Sequence, residues 1–302
     1  MNISENINKK VNILFIICLI SILTLAASDS FLMLATIPIL FAAIGLDYGP
    51  KDFFIILLGS FLIGLIFESI KSVTLFYLPI LILSLIQIGL IKSKFSDKKQ
   101  ILINFVITSF IFVAIYKYQM LEEGLTINDM ANELKEVLAP SIDYDIPDEV
   151  YKTSFAMYPS ILSALAMLYS LFSLKLIRNY LAYKNKAADI KNLSKFRINK
   201  KEFVILLIIA GGVYFILSTV LSIEPTYIST NLISIVILLV ILNGILTYDY
   251  LNMARSGGIL SRGMQWFFII IFFYFFMIIF FIIGLADIFV DFRSKPRRID
   301  AK

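Results

Sequence analysis

Histidine is absent from the 302 residues, and cysteine occurs once, at Cys18. The missing imidazole removes the commonest general base near neutral pH and the commonest metal ligand. A single thiol excludes an internal disulfide. The sequence has no glycine-rich phosphate loop followed by a lysine, no nucleophile elbow and no cluster with metal-ligand spacing. Asp143, Asp145, Asp148 and Glu149 are loosely calcium-like, but they lack the glycine and the spacing of an EF-hand loop and read as solvated charge. Charged residues make up only 16% of the chain and sit in a few short connections, which argues against nucleic acid as a partner. These absences predict a protein with no catalytic residues, no metal and no cofactor. An intramembrane enzyme acting on lipid ranks last among the functional readings, because no deep carboxylate pair replaces the missing histidine.

Apolar sequence is what the chain has in excess. It is 59% hydrophobic, against about 45–50% in soluble domains. A soluble fold could not hide that much apolar surface, so the solvent is lipid. Segments of membrane-helix type run over Val11–Ala27, Phe31–Leu46, Phe53–Ile70, Val73–Ile91, Ile101–Tyr118, Thr153–Leu176, Phe203–Ile223, Ile228–Leu246 and Trp266–Ile288. The second is short, contains Pro38 and is expected to be tilted, kinked or partly re-entrant, with Gly49-Pro50 as its closing turn. Ala26-Ala27-Ser28 has a cleavage-site character, but another apolar segment follows at once, so the first segment is read as retained. The expected fold is all-α, a polytopic transmembrane helical bundle of eight or nine membrane segments.

Lysine and arginine set the orientation. With a cytoplasmic N-terminus and nine crossings, 18 basic residues fall inside and 4 outside. That bias points to a multi-pass protein of the cell membrane with its N-terminus in the cytoplasm. Nine crossings would also put the basic tail (Arg293, Lys295, Arg297, Arg298 and Lys302) outside, against the rule. Eight crossings would return it to the cytoplasm.

The chain divides into a six-helix membrane bundle over 1–178, a basic cytoplasmic linker over 179–202 and C-terminal membrane segments with a basic tail over 203–302. The outer loop at 119–152 is acidic, with nine acids between Glu122 and Glu149. Within it, Thr126 is placed to cap a helix, with Asp129 three residues on. Ile127, Met130, Ala131, Leu134 and Leu138 recur at helical spacing on one face, and Pro140 ends the run. This pattern predicts a helix lying on the outer surface, either as a structural element or as a lid over an outward-facing pocket.

Charged groups within a span cost about 2.5–3.5 kcal/mol each at a helix centre, so they are site candidates wherever they lie deep. Glu68 and Lys71 are spaced to pair on one helix face, and Lys117 lies near the outer end of the fifth segment. With Asn104, these three make a candidate substrate-binding lining; the alternative is that the charged side chains reach out to the interface. Asn104, Asn231, Asn243 and Gln87 are expected to bond between helices. Ser60 with Gly64, Ala156 with Ser160 and Ala164, and Ala166 with Ser170 have the spacing of close helix contacts.

Three stretches carry a resemblance. They are Phe196-Arg197-Ile198-Asn199-Lys200 before a span, Asn243-Gly244-Ile245-Leu246 within one, and Gly284-Leu285-Ala286-Asp287-Ile288-Phe289-Val290-Asp291-Phe292-Arg293 near the end. The chain resembles the YybS family of bacterial membrane proteins, a family of unknown function. Gly284, Asp287, Asp291 and Arg293 form the most specific of these motifs. The first stretch lacks the tryptophan and proline of the family pattern. The family is distantly similar to the substrate-binding components of energy-coupling-factor transporters, which have six membrane helices. The resemblance therefore implies that the first six segments form a transporter-type binding component. The docking pattern of alanines in the first helix of those transporter components is represented here only by Thr24 and Ser28.

The sequence accordingly predicts a substrate-binding or transport-type membrane component for a small solute. Lacking an ATP site, it would work with an ATPase, with another membrane protein or on an ion gradient. The alternative is a membrane scaffold or regulatory subunit that recruits a partner through the basic linker and tail.

Overall fold

A computed structural model describes residues 3–26, 31–138, 146–185, 196–220, 222, 224–253, 264 and 273–293. Residues 27–28 of the cleavage-like triplet, Asp143, Asp145, the centre of the linker, Trp266 and the tail beyond Arg293 lie outside this set, as do the side chains of Thr24 and Leu138. The described secondary structure is helical. In chain order the helices are α1 (Ile3–Ala26), α2 (Phe31–Tyr48), α3 (Pro50–Phe67), α4 (Ile70–Lys92), α5 (Asp97–Glu122), α6 (Ile127–Leu138), α7 (Asp148–Ala156), α8 (Tyr158–Tyr183), α9 (Lys200–Thr219), α10 (Pro225–Met253) and α11 (Phe273–Val290).

Six helical spans are long and apolar enough to cross a membrane: α3, α4, α5, α7 with α8, α9, and α10. Shorter apolar stretches occur at Lys10–Ile22, Thr36–Tyr48 and Phe275–Val290. Large apolar side chains such as Ile66, Phe110 and Phe275 are about three-quarters exposed. Surface of that kind is stable against hydrocarbon and not against water. The chain is thus built as a multi-pass membrane protein.

Packing gathers the chain into two compact units, each drawing on α5 and α8. One compact unit comprises Met1–Ile111 with Ala166–Lys191, the other Phe112–Leu165 with Asn192–Lys302.

In the first unit, α1 packs on α3 and α2 on α4. Ile20, Ile37, Phe41, Phe53, Ile56, Val73, Tyr77 and Ile80 form its buried core. Phe41 meets Phe53 edge to face at 6.1 Å, the favoured arrangement for ring quadrupoles. The α2 helix runs through Pro38 as one element. The Ser84 hydroxyl ties α4 to it, reaching Pro38 O at 3.2 Å and its own Ile80 O at 2.6 Å. Gly49 (φ +96°) makes the turn between α2 and α3, a backbone region open chiefly to glycine. Pro50 then opens α3, where its missing N–H costs nothing.

In the second unit, α10 and α11 come together backbone to backbone. A Cβ on Gly244 would lie 1.8 Å from Phe280 O, and one on Gly284 would lie 2.0 Å from Val240 O. The glycines thus lie level with one another, and further along both segments Tyr250 Oη donates to Arg293 O at 3.3 Å, so the two helices run in the same direction. Small residues permit this approach, which replaces the hydrophobic drive missing in lipid with close packing. The C-terminal ends of α10 and α11 therefore lie together. The start of α9 joins them, because Ile198 N donates to Asn243 Oδ1 at 3.2 Å. The linker's end and the beginning of the tail leave the unit at the same end.

The acidic loop matches the predicted pattern. Thr126 N and Oγ1 both donate to Asp129 Oδ2, and Asp129 N donates back to Thr126 Oγ1. The α6 helix begins at the next residue and turns Ala131 inward, with Ile127, Met130 and Leu134 half-buried beside it. It packs on α7, and Lys135 pairs with Asp148 at 2.6 Å. The sixth expected span is broken at Met157 into α7 and α8, just before Pro159. Asn231 bridges the break: its Oδ1 accepts from Ser160 N (3.1 Å) and its Nδ2 donates to Ala156 O (2.9 Å).

Candidate functional site

Two polar constellations lie within the apolar helices, one in each unit. In the first unit, α4 contributes Gln87, α5 contributes Asn104 and Thr108, and α8 contributes Tyr169 and Ser173. Asn104 and Thr108 are four residues apart, as are Tyr169 and Ser173, so each pair shares a helix face. Gln87 Nε2 donates to Tyr169 Oη at 2.7 Å, and Asn104 Nδ2 donates to Ser173 Oγ at 3.2 Å. The two bonds set both amides against the same face of α8, one turn apart. Gln87, Asn104, Thr108 and Ser173 are fully buried.

Each amide is only half satisfied. Gln87 Oε1, Asn104 Oδ1 and Thr108 Oγ1 have no protein hydrogen-bond partner, nor does the neighbouring Ser109 Oγ. A buried polar atom left in this state costs about 1–3 kcal/mol, and a hydrocarbon surround supplies no water to relieve it. No acid or base stands among the five side chains. The nearby ionic group is Arg178, at the ends of the same helices, which pairs with Asp97 at 2.7 Å and also bonds Gln100. The arrangement is a neutral, buried patch of hydrogen-bond acceptors.

In the second unit the polar group is charged. Asp287, on the last turn of α11, is fully buried. Its Oδ1 accepts from Phe292 N at 3.1 Å, and its Oδ2 lies 3.3 Å from Arg293 Nη2 and 3.6 Å from Arg197 Nε. Arg197 also pairs with Asp291 at 2.5 Å. Arg293 reaches across to α10 and the linker: Nη2 donates to Asn243 O (2.9 Å), Asn243 Oδ1 (3.0 Å) and Thr247 Oγ1 (2.5 Å), and Nη1 donates to Phe196 O. Asn243 Nδ2 donates to Gly284 O at 3.1 Å. Burial pushes the Arg293 guanidinium below its usual range, and the Asp287 charge opposes that shift. A carboxylate on the last turn faces the negative end of the helix dipole, so the two arginines are what make Asp287 tolerable there.

The three stretches singled out in the sequence converge on this network. Arg197 comes from the first, Asn243 and Gly244 from the second, and Gly284, Asp287, Asp291 and Arg293 from the third. Their spacing in the chain gives no sign of it, since 44 residues separate Asn243 from Asp287 and 90 separate Arg197 from Asp287.

The expected lining separates. Asn104 is buried in the first-unit patch, whereas Glu68, Lys71 and Lys117 are exposed. Glu68 and Lys71 do not share a helix face. The backbone is extended at Glu68 (φ −130°, ψ 162°), and Ser69 caps the next helix. Thr108, Tyr169 and Ser173 were missed by composition alone. The available signal was polar residues four apart, facing one another from two apolar helices. Among the described residues, no group of three or more acids and cysteines could hold a metal ion. No family model, curated protein or solved structure matches the chain.

Proposed function

We propose that this chain is a solute-binding component of a membrane transport system, and that the patch formed by Gln87, Asn104, Thr108, Tyr169 and Ser173 is its binding site. The observation that carries this reading is the set of three fully buried acceptors, Gln87 Oε1, Asn104 Oδ1 and Thr108 Oγ1, without protein partners. Helix-to-helix bonding uses one hydrogen of each amide and leaves its oxygen for a ligand. The likeness to the YybS family, and through it to energy-coupling-factor binding components, supports the same class of function. Without a nucleotide-binding motif, active uptake would depend on an ATPase partner or an ion gradient. The inside bias of basic residues supports a cell-membrane location with a cytoplasmic N-terminus.

The test is native mass spectrometry of the full chain, gently purified from its own membranes, with Gln87→Leu and Asn104→Leu variants alongside. A small molecule bound one-to-one in the parent and lost from both variants, at unchanged expression and melting behaviour, is the expected result. A chain that carries no small molecule, or variants that carry it equally well, would remove the assignment.

A second reading is favoured by the second-unit network. By fixing Phe196–Ile198 against α10 and Arg293, it brings the linker's end and the residue where the tail starts to one place, as a subunit that recruits a partner through both would need. Cross-linking from Lys200 and Lys201 should then trap one dominant protein. A diffuse set of products would count against recruitment.

A further inference from the structure

We infer that the solute held by the first-unit patch is uncharged and presents at least two N–H or O–H groups, as a polyol, a cyclic urea or a neutral heterocyclic imide does. This rests on the binding reading above and narrows it to a ligand class.

The inference follows from which half of each group is already used. Gln87 spends an amide hydrogen on Tyr169 Oη, and Asn104 spends one on Ser173 Oγ. One hydrogen remains on each amide nitrogen, but the atoms with no partner at all are oxygens: Gln87 Oε1 and Asn104 Oδ1, which can only accept, and Thr108 Oγ1, which can do either. A ligand that completes the patch must therefore bring hydrogens. An anion finds mainly acceptors here, so it would meet lone pairs and not donors. A cation could be approached by the oxygens, but no carboxylate stands in the patch to balance its charge. An unbalanced charge buried among apolar helices is strongly disfavoured. A neutral donor meets neither objection.

The spacing adds a size. Tyr169 and Ser173 are one helical turn apart, about 6 Å along α8, and each anchors one amide. Two amides anchored a turn apart suit a ligand with two separate donors better than one with a single N–H. Thr108, one turn from Asn104 on the same face of α5, supplies the third oxygen.

The experiment uses the full chain in lipid nanodiscs and two sets of probes. D-glucose, uracil and 2-imidazolidinone are neutral donors; L-glutamate, spermidine and sodium ion are charged. Thermal shift and titration calorimetry read binding, and any solute that co-purifies is identified by its mass. Thr108→Val removes the hydroxyl at nearly constant shape, and Thr108→Ser keeps it. The expected result is binding of a neutral donor, weakened about ten-fold or more by Thr108→Val and changed less than about three-fold by Thr108→Ser. Binding of a charged probe or co-purified ion with that same dependence on Thr108 would overturn the ligand class and leave the binding site standing. Equal binding in both Thr108 variants, or no bound species of either kind, would overturn the site itself and the class with it.

Discussion

Arg293 stands 3.3 Å from the Asp287 carboxylate, and the aspartate is fully buried beneath it. The pair joins the last turn of α11 to Asn243 and Thr247 on α10. Removing Arg293 leaves the buried carboxylate with Arg197 alone, at 3.6 Å, and removing Asp287 leaves a buried guanidinium without its nearest anion; breaking comparable pairs costs about 3–5 kcal/mol. Arg293→Met should therefore lower stability sharply, and Asp287→Leu should do the same. The double variant should be less damaging than the sum of the two, because both charges are gone. Thermal unfolding in detergent measures all three. Additive losses would mean that the two residues do not act on one another.

The closest backbone approach in the second unit gives a test with an internal control. Gly284 has no room for a side chain, since its Cβ would sit 2.0 Å from Val240 O. Backbone cannot turn aside as a flexible side chain can, so Gly284→Ala must part the helices. Overpacking of this kind costs about 1–3 kcal/mol. Gly211, within α9, faces open space. There an alanine only improves helix propensity, by up to about 1 kcal/mol. The two substitutions should move the unfolding midpoint in opposite directions.

Some of this was readable from the chain. Long apolar runs marked the spans because lipid demands them, and Thr126 with Asp129 marked the start of α6 because a cap needs an acceptor at that spacing. Gln87, Asn104, Asn231 and Asn243 stood out as amides in apolar surroundings, and each does bond between elements. What was not readable is long-range. Glu68, Lys71 and Lys117 read equally as a lining or as side chains reaching to the interface, and only the fold shows all three exposed. The partners of Asp287 come from two other helical regions, and no local pattern encodes a crossing such as that of Gly244 with Gly284.

Asn231 offers a test of how the break between α7 and α8 is held. Its side chain satisfies Ser160 N and Ala156 O, two groups that the ladder of a continuous helix would have paired. Asn231→Leu keeps the bulk and removes both bonds. Ser160 N keeps its bond to Met157 O at 3.0 Å, so the variant leaves Ala156 O without its side-chain donor, at a cost of about 1–3 kcal/mol. Hydrogen exchange at residues 156–161 should rise in the variant while exchange in α4 stays unchanged. A uniform rise across the chain would indicate general unfolding, and no change at 156–161 would show that the bridge is dispensable.

The cap of α6 carries its own dependence on pH. The Thr126 hydroxyl and backbone N–H both donate to Asp129, which holds its carboxyl below the usual carboxylate range. A group whose folded pKa is depressed adds stability above its unfolded value, about 3.9 for aspartate, and loses it as pH falls through the lower folded value. The first turn of α6 should therefore be protected at pH 5 and should loosen as the pH is taken below 4. Amide exchange at Asp129, Met130 and Ala131, corrected for intrinsic rates, reads this directly. Asp129→Asn has no proton to gain in that window, so its first turn should exchange alike at both pH values. Asp129 is exposed, so the change should stay local, with α8 and α10 keeping their protection throughout. Loosening that persists in Asp129→Asn would place the titrating group elsewhere in the acidic loop.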